Sequence, residues 1–563
     1  PMIVAGVKKE VRNMCSYCPT KLSGRANGSF MRSYSSINPS SLFPPRLTWV
    51  HNPWILSVGV GLLLSLSFPP VNASFLSFFG FIGLYQLVLL SHSYRHLALI
   101  SYPAFFVWNL GTTYWLIMAS VPAGVAAIVA NSAVMLLPMM VIRFIHHRYH
   151  LFGWTALFQA AAWILYEYLH HHWDLAWPWL GIGNAWANHI SVIQYISITG
   201  HLGISFWVVF GSFLCAHWLQ IPNKKALNTA LLVLIFVLPP LASLISFGVS
   251  SQELQELKGE SIGVVVVQPN HDSYQDYGGM SGAEEVLDSL FNLSSVHRNR
   301  ETELIVWPEN AIDKPIQMDS WHAKRIADSA RTWQTNFIIG TGLYTLYPEQ
   351  TPELYRSSVN GVKYNTYNST LFADSTGQLS RYDKAQLVPF VERLPFVEFL
   401  NKIDVFNWVD WGKHAGFGQG GEPSMLESSS GFISPGLVCY DSVFPSWNRA
   451  FVRDGAQILT IITNDGWWGN SSGHLQHFAY ARLRAIEFRR WVVRSANNGT
   501  SGIISPDGSI QQKTDYWTRT SFSAVVPLRN DLSFYARYGD WLSMLCFFLV
   551  LLSVGYGWVT RKR

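Results

Sequence analysis

Residues 226–268 read ALNTALLVLIFVLPPLASLISFGVSSQELQELKGESIGVVVVQ, and two environments are written into them. The first part, 226–248, is an apolar run of about the ~20 residues that a helix needs to cross a ~30 Å hydrocarbon core. After residue 250 the polarity becomes ordinary. Ile262–Gln268 (IGVVVVQ) is then a β-branched run that reads as a buried strand. A lipid-soluble part therefore gives way to an α/β part near residue 250.

Upstream, six more apolar runs lie near 53–68, 74–91, 97–118, 124–142, 152–170 and 191–219, and one follows near 541–559. Composition agrees. Of 563 residues 49% are hydrophobic, 15% aromatic and only 13% charged, against roughly 25% charged in an average soluble chain. Disorder, collagen and a disulfide scaffold are excluded. The net charge of +5 is too small to indicate a nucleic-acid partner.

Lys and Arg in the short loops give the orientation. One set of loops carries Arg95, then Arg143 and Arg148, then Lys224 and Lys225, and finally Arg561, Lys562 and Arg563. The alternate loops, 69–73, 119–123 and 171–190, carry none. The basic loops belong inside the cell, so seven crossings put residues 250–535 outside and an eighth returns the tail. Residues 1–50, Ser- and Asn-rich with one acid (Glu10), read as a flexible basic arm on the inner side.

Trp173, Trp177, Trp179 and Trp186 in the outer loop suit an aromatic belt at the lipid boundary, serving either as anchors or as a lipid-facing portal. Glu167, near the outer end of its run, is either structurally paired or part of a site. No metal site is expected. Three adjacent histidines, His170 to His172, point in different directions on a helix end, and Cys15 and Cys18 form a C-x-x-C without a second half.

Residues 250–535 alternate strand and helix patterns. Thr302–Trp307, Asn336–Gly340, Pro435–Cys439 and Ile458–Thr463 read as strands. Residues 283–298, 320–333 and the amphipathic stretch 474–490 read as helices. Glu309, Lys384 and Cys439 each end a strand-like run, where chemistry collects in α/β domains. As a set they are coherent. A carboxylate takes the thiol proton, and an ammonium stabilises the thiolate and then an oxyanion. This chemistry requires no metal or organic cofactor.

The flanks carry a resemblance. Val306-Trp307-Pro308-Glu309, Tyr382-Asp383-Lys384 with Leu387-Val388-Pro389, and Val438-Cys439-Tyr440-Asp441 are similar to the nitrilase superfamily. So are Thr463-Asn464-Asp465-Gly466-Trp467-Trp468-Gly469, the segment Ala481–Glu487, and Arg494–Gly499. With seven runs before the domain and one after it, the chain from about residue 50 resembles the apolipoprotein N-acyltransferase family. Trp163, Glu167, Trp177–Leu180 and Tyr535–Asp540 add to this likeness.

The resemblance implies a membrane helical bundle of seven N-terminal spans plus one C-terminal span, with an inserted α/β nitrilase-like αββα sandwich. The expected divisions are 1–50, 51–249, 250–535 and 536–563. It implies Glu309 as general base, Lys384 as stabiliser, Cys439 as nucleophile and Glu392 as an orienting glutamate. Tyr440 and Asp441 would line the pocket, Tyr440 against substrate. Asp441 stands where the family often has Glu. The implied reaction is acyl transfer from a membrane phospholipid, through a Cys439 thioester, to the α-amine of a diacylglyceryl-cysteine on an apolipoprotein. It would occur at the outer face of a bacterial inner membrane. The rival readings are a membrane-tethered amidase acting on small substrates and a non-enzymatic membrane scaffold.

Overall fold

In the seven-stranded sheet the side chains of β1 (Ser261–Gln268) alternate. Val264 and Val266 face one way, Val265 and Val267 the other, and both pairs are buried. That alternation sets the layers of a computed structural model that describes Leu42 and residues 48–149, 151–221, 226–255, 259–349, 352–403 and 409–559. The arm up to residue 47 apart from Leu42, Lys224, Lys225, and Arg561 to Arg563 lie outside the described residues. A short helix, Thr48–His51, starts within the last part of the expected arm.

The other strands are β2 (Thr302–Ile316), β3 (Asn336–Tyr347), β4 (Ser357–Val359), β5 (Val362–Ala373), β6 (Leu379–Asp383), β7 (Leu426–Glu427) and β8 (Ile433–Ser434). They continue with β9 (Gly436–Val438), β10 (Leu459–Thr463), β11 (Val492–Ala496), β12 (Gly502–Ile504), β13 (Ile510–Lys513) and β14 (Thr520–Pro527). One sheet has the order β14-β1-β2-β3-β5-β4, with β6 on β5. A second runs β13-β12-β11-β10-β9. Pairing is parallel in β1–β2–β3 and in β9–β10–β11, and antiparallel at the outer strands.

The two sheets pack face to face through Val264, Val266 and Val306 against Leu437, Ile461 and Val493. The far face of the first sheet carries helices Ala283–His297 and Trp321–Trp333, through Leu287, Leu290 and Ile326. The far face of the second carries Ser472–Phe488 and Pro445–Arg453. The result is the helix–sheet–sheet–helix sandwich of a nitrilase-like domain. Each fully buried aliphatic side chain contributes about 1.5–3 kcal/mol to it.

Helices occupy each expected apolar run. Among the described residues, three are long and apolar enough to cross a membrane: Val121–Arg148, Leu202–Leu219 and Ala226–Val249. Pro53–Ser67, Leu76–Leu90 and Trp541–Gly555 are apolar but shorter. Length and composition therefore meet the spanning criterion for three helices rather than eight. Several runs are also broken, the one expected at 124–142 at Met135, between Val121–Val134 and Leu136–Arg148. In the stretch expected at 191–219, Ile190–Val192 and Ile196–Thr199 are single turns, and Gly200, at φ +66°, stops the chain before the Leu202 helix begins. A Cβ on Gly200 would lie 2.6 Å from the Tyr535 ring. The run expected at 97–118 ends as a helix at Thr113, and Leu116–Ala119 forms a separate turn.

The Ser472–Phe488 helix is the middle of the molecule. Phe478, Ala481 and Ala485 pack on the sheets, while Ala479, Tyr480 and Leu483 join the core of the apolar helices. Its charged side chains serve this junction. Arg484 is paired with Glu487 at 2.6 Å, and Glu487 Oε1 accepts from His201 N at 2.7 Å.

Candidate active site

Strand β2 pairs regularly with β3 from Leu304 to Trp307 and next at Ile312. Glu309 and Asn310 occupy the irregularity, with Asn310 at φ +55°. This is a bulge of the kind that re-aims a side chain beside a site. Gly340 on β3 makes room for it, because a Cβ there would lie 2.4 Å from the Glu309 Cα. Lys384 follows β6 and is held by Lys384 N donating to Asn368 O, 2.9 Å. Cys439 follows β9 and opens the short turn Cys439–Val443 with φ +47°, a left-handed conformation costly for a residue with a Cβ.

These three elements bring Glu309, Lys384 and Cys439 to the wall of one cavity of about 380 Å³. Glu309 is 4% exposed, Lys384 1% and Cys439 9%. Lys384 Nζ lies 2.8 Å from Glu392 Oε1 and 3.5 Å from Glu309 Oε1. Asn368 Nδ2 donates to both glutamates, at 2.7 Å to Glu309 Oε1 and 3.0 Å to Glu392 Oε1. The remaining oxygens accept from backbone: Glu309 Oε2 from Asn464 N and Glu392 Oε2 from Val388 N.

The electrostatics follow from burial. The Cys439 thiol is pushed well above its ordinary range, first by desolvation and then by the Glu309 charge, with Lys384 pulling the other way. Desolvation also raises Glu309, opposed chiefly by Lys384. For Lys384 itself, desolvation opposes the charge, but Glu392 and Glu309 outweigh it and hold the ammonium above its usual pKa. The resting site is a protonated thiol beside a charged lysine and two carboxyl groups.

Tyr440 lines the cavity and donates its hydroxyl to Ala176 O at 3.0 Å. Asp441, expected to line the pocket, does not. It is fully buried and accepts from Tyr382 Oη, Val438 N and Gln386 N, tying down the turns on either side of the site. Burial pushes its carboxyl up to about 7, against the Lys384 charge and these hydrogen bonds.

Much of the rest of the cavity lining is apolar. The small side chains Ala123, Ala127 and Ala130 of the Val121–Val134 helix form one wall, and Trp173, Trp177 and Trp179 line it as well. The four loop tryptophans thus do not act alike. Trp173 is exposed, whereas Trp179 and Trp186 are buried, Trp186 against Phe78 and Trp207. Glu167 is paired structurally, accepting from Trp163 Nε1 at 2.8 Å and from Ile182 N at 3.1 Å.

Comparison with known proteins fits both halves of this arrangement. Residues 60–214 match the apolipoprotein N-acyltransferase N-terminal domain, and residues 264–530 match the carbon-nitrogen hydrolase family. The apolipoprotein N-acyltransferase of Chlorobaculum tepidum is 30% identical over 514 residues, covering 88% of this chain and 94% of its own length. The chain belongs to the apolipoprotein N-acyltransferase family. That of Geobacter metallireducens is 26% identical, covering 88% of this chain and 93% of its own. Among solved structures, an amidase from Nesterenkonia sp. AN1 overlaps 51% of this chain and 99% of its own, with 17% identity and a TM-score of 0.34.

Within this acyltransferase framework, three polar groups lay beyond the sequence reading. Asn368, which bridges the glutamates, sits inside β5 with no motif around it. His477 and Asp465 form a buried pair at 3.0 Å behind Cys439. Gln476 links the domain to the apolar helices. Asp465 stood in the Thr463–Gly469 motif, and His477 and Gln476 in the amphipathic stretch 474–490, without a role assigned to any of them.

Proposed function

We propose that this chain transfers a fatty acyl group from a membrane phospholipid to the N-terminal amine of a diacylglyceryl-cysteine on a lipoprotein. One observation carries the reading. A single cavity is lined by a Glu, a Lys and a Cys and also by an apolar wall of Ala123, Ala127 and Ala130. A soluble amide would leave that wall unused, which disfavours a tethered amidase.

In the first half-reaction Glu309 takes the thiol proton as Cys439 sulfur attacks the ester carbonyl. Lys384 holds the oxyanion. The glycerol oxygen then leaves as a lysophospholipid, taking the proton from Glu309, and a thioester remains. In the second half the lipoprotein amine attacks the thioester. Glu309 receives the ammonium proton and returns it to the departing thiolate, giving an amide and free Cys439. Glu392 keeps Lys384 charged and placed, and Tyr440 offers a flat surface to the substrate.

The membrane frame belongs to the same proposal. Residues 51–249 form seven spans, 250–535 the catalytic domain on the outer side of a bacterial inner membrane, and 536–563 the returning span with its basic tail. The loop charges support this orientation. Both substrates carry acyl chains in the outer leaflet, so a site at bilayer level also shields the thioester from water.

The test is mass spectrometry of purified protein incubated with a defined phospholipid. An acyl adduct on Cys439, cleared by a diacylglyceryl peptide and absent from C439S, is expected. A wild-type protein that forms no adduct, or a C439S variant that still acylates the peptide, sinks the proposal.

A further inference from the structure

Cys439 is held in a left-handed conformation, and side chains outside the cavity hold it there. Ser442 Oγ donates to Cys439 O at 2.7 Å. His477 Nε2 lies 3.1 Å from the same hydroxyl, and His477 Nδ1 lies 3.0 Å from Asp465 Oδ1. Arg494 closes the chain from behind, with its NH2 2.7 Å from Asp465 Oδ2 and 3.2 Å from His477 Nδ1. Thr463 Oγ1 donates to the same carboxylate, at 2.8 Å from Asp465 Oδ1. Ser442, His477, Asp465 and Arg494 are each 3% exposed or less.

We propose that Asp465, through His477 and Ser442, anchors a positioning network that fixes the Cys439 carbonyl and with it the left-handed turn that aims the thiol. The single Ser442 hydrogen goes to Cys439 O, so His477 Nε2 donates to the Ser442 oxygen and fixes the hydroxyl in place. Left-handed backbone on a non-glycine residue is strained and persists only where its surroundings over-determine it. A chain of side chains anchored on one buried carboxylate, itself paired with Arg494, supplies that constraint. Ser, His and Asp here follow the order of a hydrolytic triad, but Ser442 is buried and bonded to the Cys439 carbonyl, so it does not act as a nucleophile. The inference deepens the acyl-transfer reading and rests on it for the reaction measured.

The experiment uses the full chain in phospholipid–detergent micelles and compares H477F, H477Q and S442A. Two rates are read: acyl adduct formation from phospholipid, and alkylation of Cys439 by iodoacetamide, which requires no acyl transfer. H477F and S442A are expected to slow both by about tenfold, with KM for phospholipid within about twofold of wild type. H477Q, which returns an amide to the Nε2 position, is expected to recover most of the loss. S442A removes one hydroxyl and guards against a folding defect. Wild-type rates in H477F and S442A, or no recovery in H477Q, overturn the network. A wild type that alkylates but forms no acyl adduct defeats the acyl-transfer reading instead, and the alkylation series still decides the network.

Discussion

Lys384 Nζ is closer to Glu392, at 2.8 Å, than to Glu309, at 3.5 Å. The lysine therefore takes its position from Glu392 and leaves Glu309 the freer carboxylate. Every partner of Glu392 is a donor: Lys384 Nζ and Asn368 Nδ2 on one oxygen, Val388 N on the other.

E392Q is isosteric and still expected to fail. In either orientation its amide nitrogen points at a donor, and the lysine loses its nearest countercharge. A lost hydrogen bond to a charged group costs about 1.5–3 kcal/mol, so the adduct rate should fall roughly 10- to 100-fold. Single-turnover mass spectrometry measures this, and a rate near wild type refutes the assigned role.

The pH dependence follows from Glu309. Desolvation raises its carboxyl above the ordinary range, with Lys384 pulling it down. The reaction needs the carboxylate, so the rate falls as pH drops through a value above the ~4.3 of a free glutamate. K384M removes the lowering charge and should move the acid limb of Cys439 alkylation to higher pH. An unmoved or downward-shifted limb contradicts the coupling.

Asp465 makes the opposite statement. Burial alone would raise it, but the Arg494 guanidinium and His477 outweigh burial and hold its carboxyl far below the ordinary range. A depressed carboxylate contributes stability that is present above its unfolded pKa of about 3.9 and lost as pH falls toward the folded value. D465N should therefore melt well below wild type at neutral pH, with the gap narrowing in acid below about pH 4. A gap that stays constant with pH removes the electrostatic explanation.

The sandwich was legible because its strands are short, β-branched and bounded, as in Ile262–Gln268 and Ile458–Thr463. Glu309, Lys384 and Cys439 were legible because each ends such a run. What failed to show depended on a third layer. The pattern of 474–490 has polar positions at helical spacing, which in a two-layer protein face water. Here the apolar helices cover that face, so Gln476, His477, Arg484 and Glu487 are buried. Asn368 depends on cross-strand register, β5 pairing Ser369 with Asp383, which no local pattern encodes. Asp441 was placed in the pocket by the family resemblance, but the turn at Cys439 points it into the protein.

The apolar wall makes a prediction about chain length. A127F places a ring in the cavity at its alanine wall. If the acyl chain lies along that wall, long-chain phospholipid donors should lose adduct formation by about tenfold or more, while a short-chain donor keeps most of its rate. An equal loss for both donors means that the acyl chain runs elsewhere.

Gln476 makes the strongest structural prediction. Its Oε1 accepts from Trp115 Nε1 at 3.2 Å and from Trp179 Nε1 at 2.6 Å. Its Nε2 donates to Pro69 O and Thr112 O, both at 3.0 Å. One amide on the catalytic domain thus satisfies four groups on the apolar helices and loops, and both tryptophans line the cavity. Q476M keeps the volume but leaves two buried indole N–H groups and two carbonyls without this partner. Each unsatisfied group costs about 1–3 kcal/mol, so a loss of about 3 kcal/mol or more is expected. It should appear as a lower thermal midpoint in detergent together with a raised KM for phospholipid, since the cavity wall loses its brace. Q476E should not rescue either property, because its second oxygen would face the two carbonyls. A Q476M protein with wild-type melting and wild-type KM would show that Gln476 does not join the two parts of the molecule.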